Sequence, residues 1–325
     1  MSETHAAIAS ESPRESRSKL RESKRVWREF ARSRGYKAGG SVTPTLSTKR
    51  NSKINPEGPS LSAPNAKTSK SSNKGVLTTG LSLAPHATSG LKDFDPCPKS
   101  SKDCRTSCLG TTAGGAKAYP DHTLAAKALR THFMVAHPEH FARITHSEIQ
   151  AHKRKAARMG MKPAYRPNVT SDISHPEQMF HNHPDVDFYD YTKRPNAVMK
   201  SLDPKSGHPK NYHLTLSGTG TNHPESNDKD VAKVLHAGGN VAMVLPRGHK
   251  ATHIEDVATG KRFPLVNGDE DDNTFRRQKE MGLTHGKPGH GLGHALTLKG
   301  TTLQKAGNFV YHPDSDGIVR INKGK

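Results

Sequence analysis

At 325 residues the chain has room for one large domain or two small ones. Its apolar fraction of 31% is low for a chain folded end to end, and a formal charge of +20 points to a polyanion partner, nucleic acid most simply. No stretch approaches the roughly 18 apolar residues that a membrane span needs. The first thirty residues are too polar for a secretory signal. Three cysteines, odd in number and tightly clustered, do not make a secreted disulfide framework and suggest a reducing, cytoplasmic compartment.

Residues 1–75 carry 16 Lys and Arg against 6 Asp and Glu, about half of the excess charge. Rich also in Ser, Pro and Asn, they read as a disordered basic tail and linker, since they bury too little apolar area to offset ordering entropy. Within the tail, Ser16–Arg34 has Leu20, Trp27 and Phe30 among basic residues that include Arg17, Arg21, Lys24, Arg25, Arg28 and Arg32, and could fold as a helix on a nucleic-acid backbone or an acidic partner. Residues 41–75 read as linker, and residues 76–325 as the folded domain.

From Thr78 the texture changes. Thr79–Ala84 is a strand candidate ahead of a Gly/Asp/Pro-rich loop. Two helices follow, one from Asp121 with Leu124, Leu129 and Phe133 on a face, the next from Pro138 to about Met159. Strands are expected at 164–169, 186–191, 212–216 and 241–245, with weaker ones at 263–266 and 292–298. Short helices separate the earlier ones, after Pro176 and at 195–202 and 224–237. Alternating strands and helices argue for parallel βαβ units. The fold class expected is α/β, a complete or partial parallel β/α barrel closed by a C-terminal hairpin over 308–322.

The chemistry-bearing stretch is Cys97–Cys108, which holds every cysteine in the spacing Cys-x6-Cys-x3-Cys. Structural thiols usually sit dispersed in apolar positions, whereas Cys97, Cys104 and Cys108 lie among Pro, Lys, Ser, Asp and Arg. That argues for thiolates on a metal. An iron–sulfur cluster, 4Fe-4S in type, takes three thiolates and leaves one iron open. Zinc is the alternative, with His86 or His122 as fourth ligand. In a barrel the active site lies at the carboxyl ends of the strands, and those ends are polar. Asn168, Ser171 and Ser217 are expected to bind a cofactor. Asp172 and Asp190 would orient substrate or move protons, and Lys193 would bind an anion. Other features speak more softly. His285, His290 and His294 flank a Gly-rich loop that could take a metal. Asn267-Gly268-Asp269-Glu270-Asp271-Asp272 is an acidic turn that could hold Mg²⁺. Plain solvated loops are the stronger reading of both.

An ordered series of motifs resembles the bacteriophage gene product 88 family. It comprises Leu81-Ser82-Leu83-Ala84-Pro85, the cysteine loop through Leu109, Arg166–Ile173, Phe188–Lys193, Tyr212–Ser217, Asn267–Asp272 and Gly293–Gly300. The likeness spans about residues 78–310 and leaves the basic tail outside. It implies a phage, prophage or plasmid origin, hence a bacterial host cytoplasm, and carries over no activity. A more distant likeness, to iron–sulfur barrels of the radical S-adenosylmethionine kind, makes S-adenosylmethionine a conceivable co-substrate. Two functions are therefore expected. One is an iron–sulfur barrel enzyme. The other is a basic nucleic-acid-binding protein whose cysteine site, zinc or cluster, is structural.

Overall fold

The computed structural model describes residues 2–34, 61–62, 74–108, 121–221, 223–298 and 307–322. The linker expected over 41–75 lies outside them, apart from 61–62 and 74–75. Chain contacts divide the protein into two units, Met1–Pro98 with Tyr119–Asp187, and Lys99–Ala118 with Phe188–Lys325.

The first unit is built on the helix α5 (Pro138–Arg158). Pro138 opens it with a fixed φ, Glu139 stands in its first turn, and Lys155 and Arg158 stand in its last, each suited to the helix dipole. A stripe of Phe141, Thr145, Ile149, His152 and Ala156 is buried. His152 Nε2 meets the Leu77 carbonyl of β1 (Val76–Gly80) at 3.0 Å. That strand pairs in parallel with β2 (Lys162–Arg166), Val76 opposite Lys162 and Gly80 opposite Arg166. Helix α4 (Asp121–Ala136) and α5 form the crossover between them. Glu148 of α5 accepts the backbone N–H groups of Leu61 and Ser62 at 2.9 and 2.7 Å.

The N-terminal segment is a correction to the disordered-tail expectation. Residues 2–33 form α1 (Ser2–Ser10) and α2 (Pro13–Ser33). Ser12 caps α2 by accepting the Glu15 N–H, and Pro13 takes the first helical position. Ser23, Trp27 and Ala31, spaced by four, are buried. The Trp27 ring lies 4.6 Å from Phe133 of α4, and Ser23 Oγ lies 3.0 Å from His140 of α5. Between the two helices Glu11 clasps the Arg143 guanidinium. The exposed face carries Arg14, Arg17, Arg21, Lys24 and Arg28. The charge thus lies on one side of a helix whose other side folds on its own chain. Composition, which averages over both faces, conceals this.

Helix α1 docks beside α6 (Glu177–His181), where Asn182 donates to the His5 carbonyl at 2.7 Å. His5 and His183 are 4% and 1% exposed, and burial lowers them to about 4 and about 3.

The second unit holds seven of the described strands, ordered β3 (Asp187–Thr192), β4 (Tyr212–Ser217), β5 (Asn240–Leu245), β8 (Leu292–Thr297), β7 (Lys261–Asn267), β6 (His253–Asp256) and β9 (Ile318–Ile321). Neighbours are parallel except β6 and β7. The barrel expectation is corrected here: the sheet is open and mostly parallel. A barrel adds each strand at the same edge, whereas here the chain leaves β5, turns through β6 and β7, and returns to place β8 against β5. The likeness to radical S-adenosylmethionine barrels loses its architectural support with it. The C-terminal hairpin is corrected too, since β9 follows the turn Asp314–Gly317 and pairs in parallel with β6.

The helices α7 (Pro195–Leu202) and α8 (Asp228–His236) join β3 to β4 and β4 to β5. Helix α9 (Thr274–Glu280) joins β7 to β8, which lies on the other side of it in the order. Right-handed crossovers running in opposite directions put α9 on the opposite face from α7 and α8. The α7/α8 face is mostly apolar, with Phe188, Leu214, Leu216, Val241 and Met243 buried on the strands beside Asp190, and Val198, Leu202, Val231, Val234 and Leu235 buried on the helices. The face under α9 carries Tyr191, Thr215, Asn240 and His294.

Trp27→Ala should lower the stability of the first unit by about 3 kcal/mol, the usual loss for a buried aromatic truncated to alanine. An unfolding midpoint in urea checks this, with the exposed Arg21→Ala expected to leave it in place.

Candidate active site

The sequence-selected residues separate into small groups. In the first unit, the loop leaving β2 is organised by Asn168, 1% exposed. Its Oδ1 accepts from Ser171 Oγ at 2.9 Å and from the Ile173 N–H at 3.1 Å, and its Nδ2 donates to the Ile173 carbonyl at 3.1 Å. The Asp172 N–H donates to the Pro96 carbonyl at 2.7 Å, and the Cys97 thiol lies 3.9 Å from the Thr170 carbonyl. Asn168 and Ser171, expected to hold a cofactor, thus spend these groups on the turn itself.

In the second unit, Asp190 lies on the α7/α8 face, 1% exposed, and accepts the Tyr212 hydroxyl at 2.9 Å. Lys193 and Ser217 come together at the exits of β3 and β4. Lys193 Nζ donates to the Gly218 carbonyl at 3.3 Å and lies 5.0 Å from the centre of the Phe309 ring. Cys104 lies in α3 (Lys102–Thr106) and Cys108 just after it. Ser101 caps α3 by accepting the Cys104 N–H at 3.1 Å. The helix is seated by two carboxylates: Glu225 accepts the Lys102 N–H at 3.0 Å, and Asp103 accepts the Asn308 N–H at 3.0 Å.

All three cysteines are thiols and each is half-buried. Cys97 belongs to the first unit, Cys104 and Cys108 to the second. Among the described residues no three His, Cys, Asp or Glu side chains are grouped as a metal-ligand set. Thiols of this number suit a cluster chemically.

The best-formed chemical arrangement lies at the carboxyl end of β4, where open α/β sheets bind ligands. The loop Ser217–Asn227 is folded tightly on itself. Asn227 accepts the Thr219 N–H at 2.9 Å and donates to the Ser217 carbonyl at 3.0 Å. Ser226 Oγ donates to the Gly220 carbonyl at 2.8 Å. Two glycines permit close approach from the C-terminal segment. A Cβ on Gly218 would overlap the Tyr311 hydroxyl, and one on Gly220, at φ +88°, would overlap the Asn308 carbonyl.

Against this loop stand Asp228 and Tyr311, two residues that sequence reasoning missed. Tyr311 is 0% exposed and Asp228 9%. Burial pushes the Asp228 carboxyl up to about 6, against the opposing pull of the Asn322 N–H, Ser226 and Tyr311. Burial, and then the Asp228 charge, hold the Tyr311 phenol well above its ordinary value. A carboxyl that titrates near neutrality, beside a protonated phenol and a glycine loop, can exchange protons with a bound molecule. The only sequence signal was the polar exit Ser217-Gly218-Thr219-Gly220, since Tyr311 is 83 positions beyond Asp228 in the chain.

A family model described as gene product 88 matches residues 59–306. No curated protein and no solved structure matches the chain. None of the described helices is long and apolar enough to cross a membrane.

The Asp228 shift has a sign that can be checked. A carboxyl raised in the folded state stabilises fully below its unfolded value near 3.8 and loses that contribution as pH rises through about 6. Asp228→Asn should therefore raise the unfolding temperature at pH 8 by on the order of 2 °C. The gain should vanish below about pH 4 in parallel thermal scans.

Proposed function

The chain belongs to the gene product 88 family, and we propose that it is an enzyme that moves a proton to or from a small substrate at the carboxyl end of β4. One observation supports this most: Asp228, a carboxyl raised to about 6, stands with Tyr311 against the Gly218–Gly220 loop. In this reading Asp228 is the acid–base group and Tyr311 the neutral hydrogen-bond donor. The carbonyls of Ser217 and Gly218, held by Asn227 and Lys193, keep the loop in place. Lys193 then orders the loop through its ammonium, a different role from the anion binding expected of it.

Incubation of the full chain in deuterated water with pyruvate, 2-oxoglutarate and acetoacetate tests the reading. Wild-type protein should wash deuterium into at least one of them, with a rate that falls on protonation of a group near pH 6. Asp228→Asn should lose at least 100-fold, the usual contribution of a general base. If Asp228 instead titrates as an ordinary carboxyl by carbon NMR and no exchange occurs, the reading is wrong.

A second reading is favoured by the three thiols within twelve residues and by the seating of α3, which carries Cys104, on the same loop through Glu225. Here the loop takes up an iron–sulfur cluster through Cys97, Cys104 and Cys108, with zinc as the other metal. Anaerobic purification with iron and sulfide analysis should then give a brown protein that loses its iron in Cys104→Ser. A colourless, iron-free protein would exclude the cluster.

A further inference from the structure

A second polar centre lies under α9, apart from the Asp228 loop, and its hydrogen bonds can be assigned one after another. Gln278, 1% exposed, places its Nε2 against two carbonyls, Gly238 at 2.9 Å and His290 at 2.8 Å. A carbonyl only accepts, so both are donations from the amide nitrogen and the orientation of the Gln278 amide is fixed. Its Oε1 therefore accepts, from Asn240 Nδ2 at 2.9 Å and from His285 Nδ1 at 3.0 Å. Asn240 has then given its nitrogen, so its Oδ1 is the atom facing His294 Nε2 at 3.1 Å. That contact requires a hydrogen on His294 Nε2. The His294 ring is 0% exposed, and burial, followed by the nearby Arg277 charge, lowers it to about 3, so it is neutral and carries only that one hydrogen. Nδ1 is left as a bare lone pair, buried and with no hydrogen-bond partner.

Two neighbours share this condition. Asn273, 0% exposed, has neither its amide nitrogen nor its amide oxygen in a hydrogen bond. One turn along the same helix, the Nε of Arg277 is buried without a partner, although its terminal nitrogens reach Glu270 and Glu280 at 3.6 and 3.5 Å. Asp271 also acts on the His294 ring, opposing Arg277. Each orphaned buried group costs on the order of 1–3 kcal/mol, so three on one face call for an occupant.

The occupant's chemistry follows from the groups. It must donate a hydrogen to His294 Nδ1, accept one from Arg277 Nε, and offer Asn273 a donor or an acceptor. A metal cation is disfavoured by the guanidinium. A fully deprotonated oxyanion would meet the Nδ1 lone pair and the Asp271 carboxylate. A phosphate that retains one proton satisfies every group. The geometry points to a binding site for a singly protonated phosphate, free or as a phosphomonoester, formed by His294, Asn273 and Arg277 beneath α9.

The test uses the full chain labelled with [15N]histidine and follows the ring nitrogens of His294 at pH 6.5. Without ligand, His294 should show hydrogen on Nε2 and a bare Nδ1. Inorganic phosphate should shift Nδ1 saturably, while sulfate, which has no proton to give at this pH, should leave it unmoved. Glycerol 3-phosphate in place of phosphate tells a monoester site from a free-phosphate site by the tighter of the two. Arg277→Gln, at a partly exposed side chain, should weaken phosphate at least tenfold. A hydrogen found on Nδ1, an equal response to sulfate, or no response to either phosphate probe with water alone in the site would overturn the proposal.

Discussion

The placement of β8 between β5 and β7 is the constraint on which the second unit depends. It pairs six residues of β8 with six of β5, Asn240 opposite Leu292 through Leu245 opposite Thr297. A strand returned to the middle of the order can be reached only by a crossover running backward, and handedness then forces α9 onto the face that α7 and α8 leave open. The two faces consequently have different chemistry. One is a conventional apolar layer. The other brings the side chain of His294 of β8 within hydrogen-bond reach of Asn240 of β5 and closes the pair with Gln278 of α9.

Both polar centres of this unit obey the same energetics. A buried group that lacks a partner is expensive, and a charge is more so. At the β4 exit, burial raises the Asp228 carboxyl to about 6 while the Asn322 N–H donates to its Oδ2 at 3.4 Å. Under α9, the solution is a one-directional chain of hydrogen bonds in which each amide and imidazole has one consistent orientation. Rigid polar surroundings of this kind cost stability when incomplete and reward an occupant that completes them.

In the first unit the governing interaction is different. The ring cluster of Trp27, Phe30 and Phe133 fixes α2 to the helices of its own unit. Capping by Ser12 and the Glu11–Arg143 pair set where that helix begins and how α1 turns into it. The strong positive charge is therefore displayed on one ordered surface, with Arg14, Arg17, Arg21, Lys24 and Arg28 pointing away from the apolar stripe.

Local signals were read well where they were local. Strands 186–191, 212–216 and 241–245 lie almost where alternation and β-branching placed them, and α7 spans the residues expected. Helix α3 was missed because five residues around Ser101 read as loop, and β6 because four residues carry no period. The barrel was inferred from the same alternation, which fixes that strands are parallel but is silent on their order. Of the site residues, Lys193 and Ser217 were found together because each lies at the carboxyl end of a strand. Asp228 and Tyr311, and likewise His294 and Asn273, were not, since pairing them requires knowing which strands are neighbours. By itself, then, the sequence determined the elements, the family, the charge and the clustering of the thiols, because these depend on near neighbours in the chain. Strand order, the division of the sheet into an apolar and a polar face, and the shifted carboxyl were decided only by tertiary structure, because burial and hydrogen-bond direction arise between segments that the chain keeps far apart.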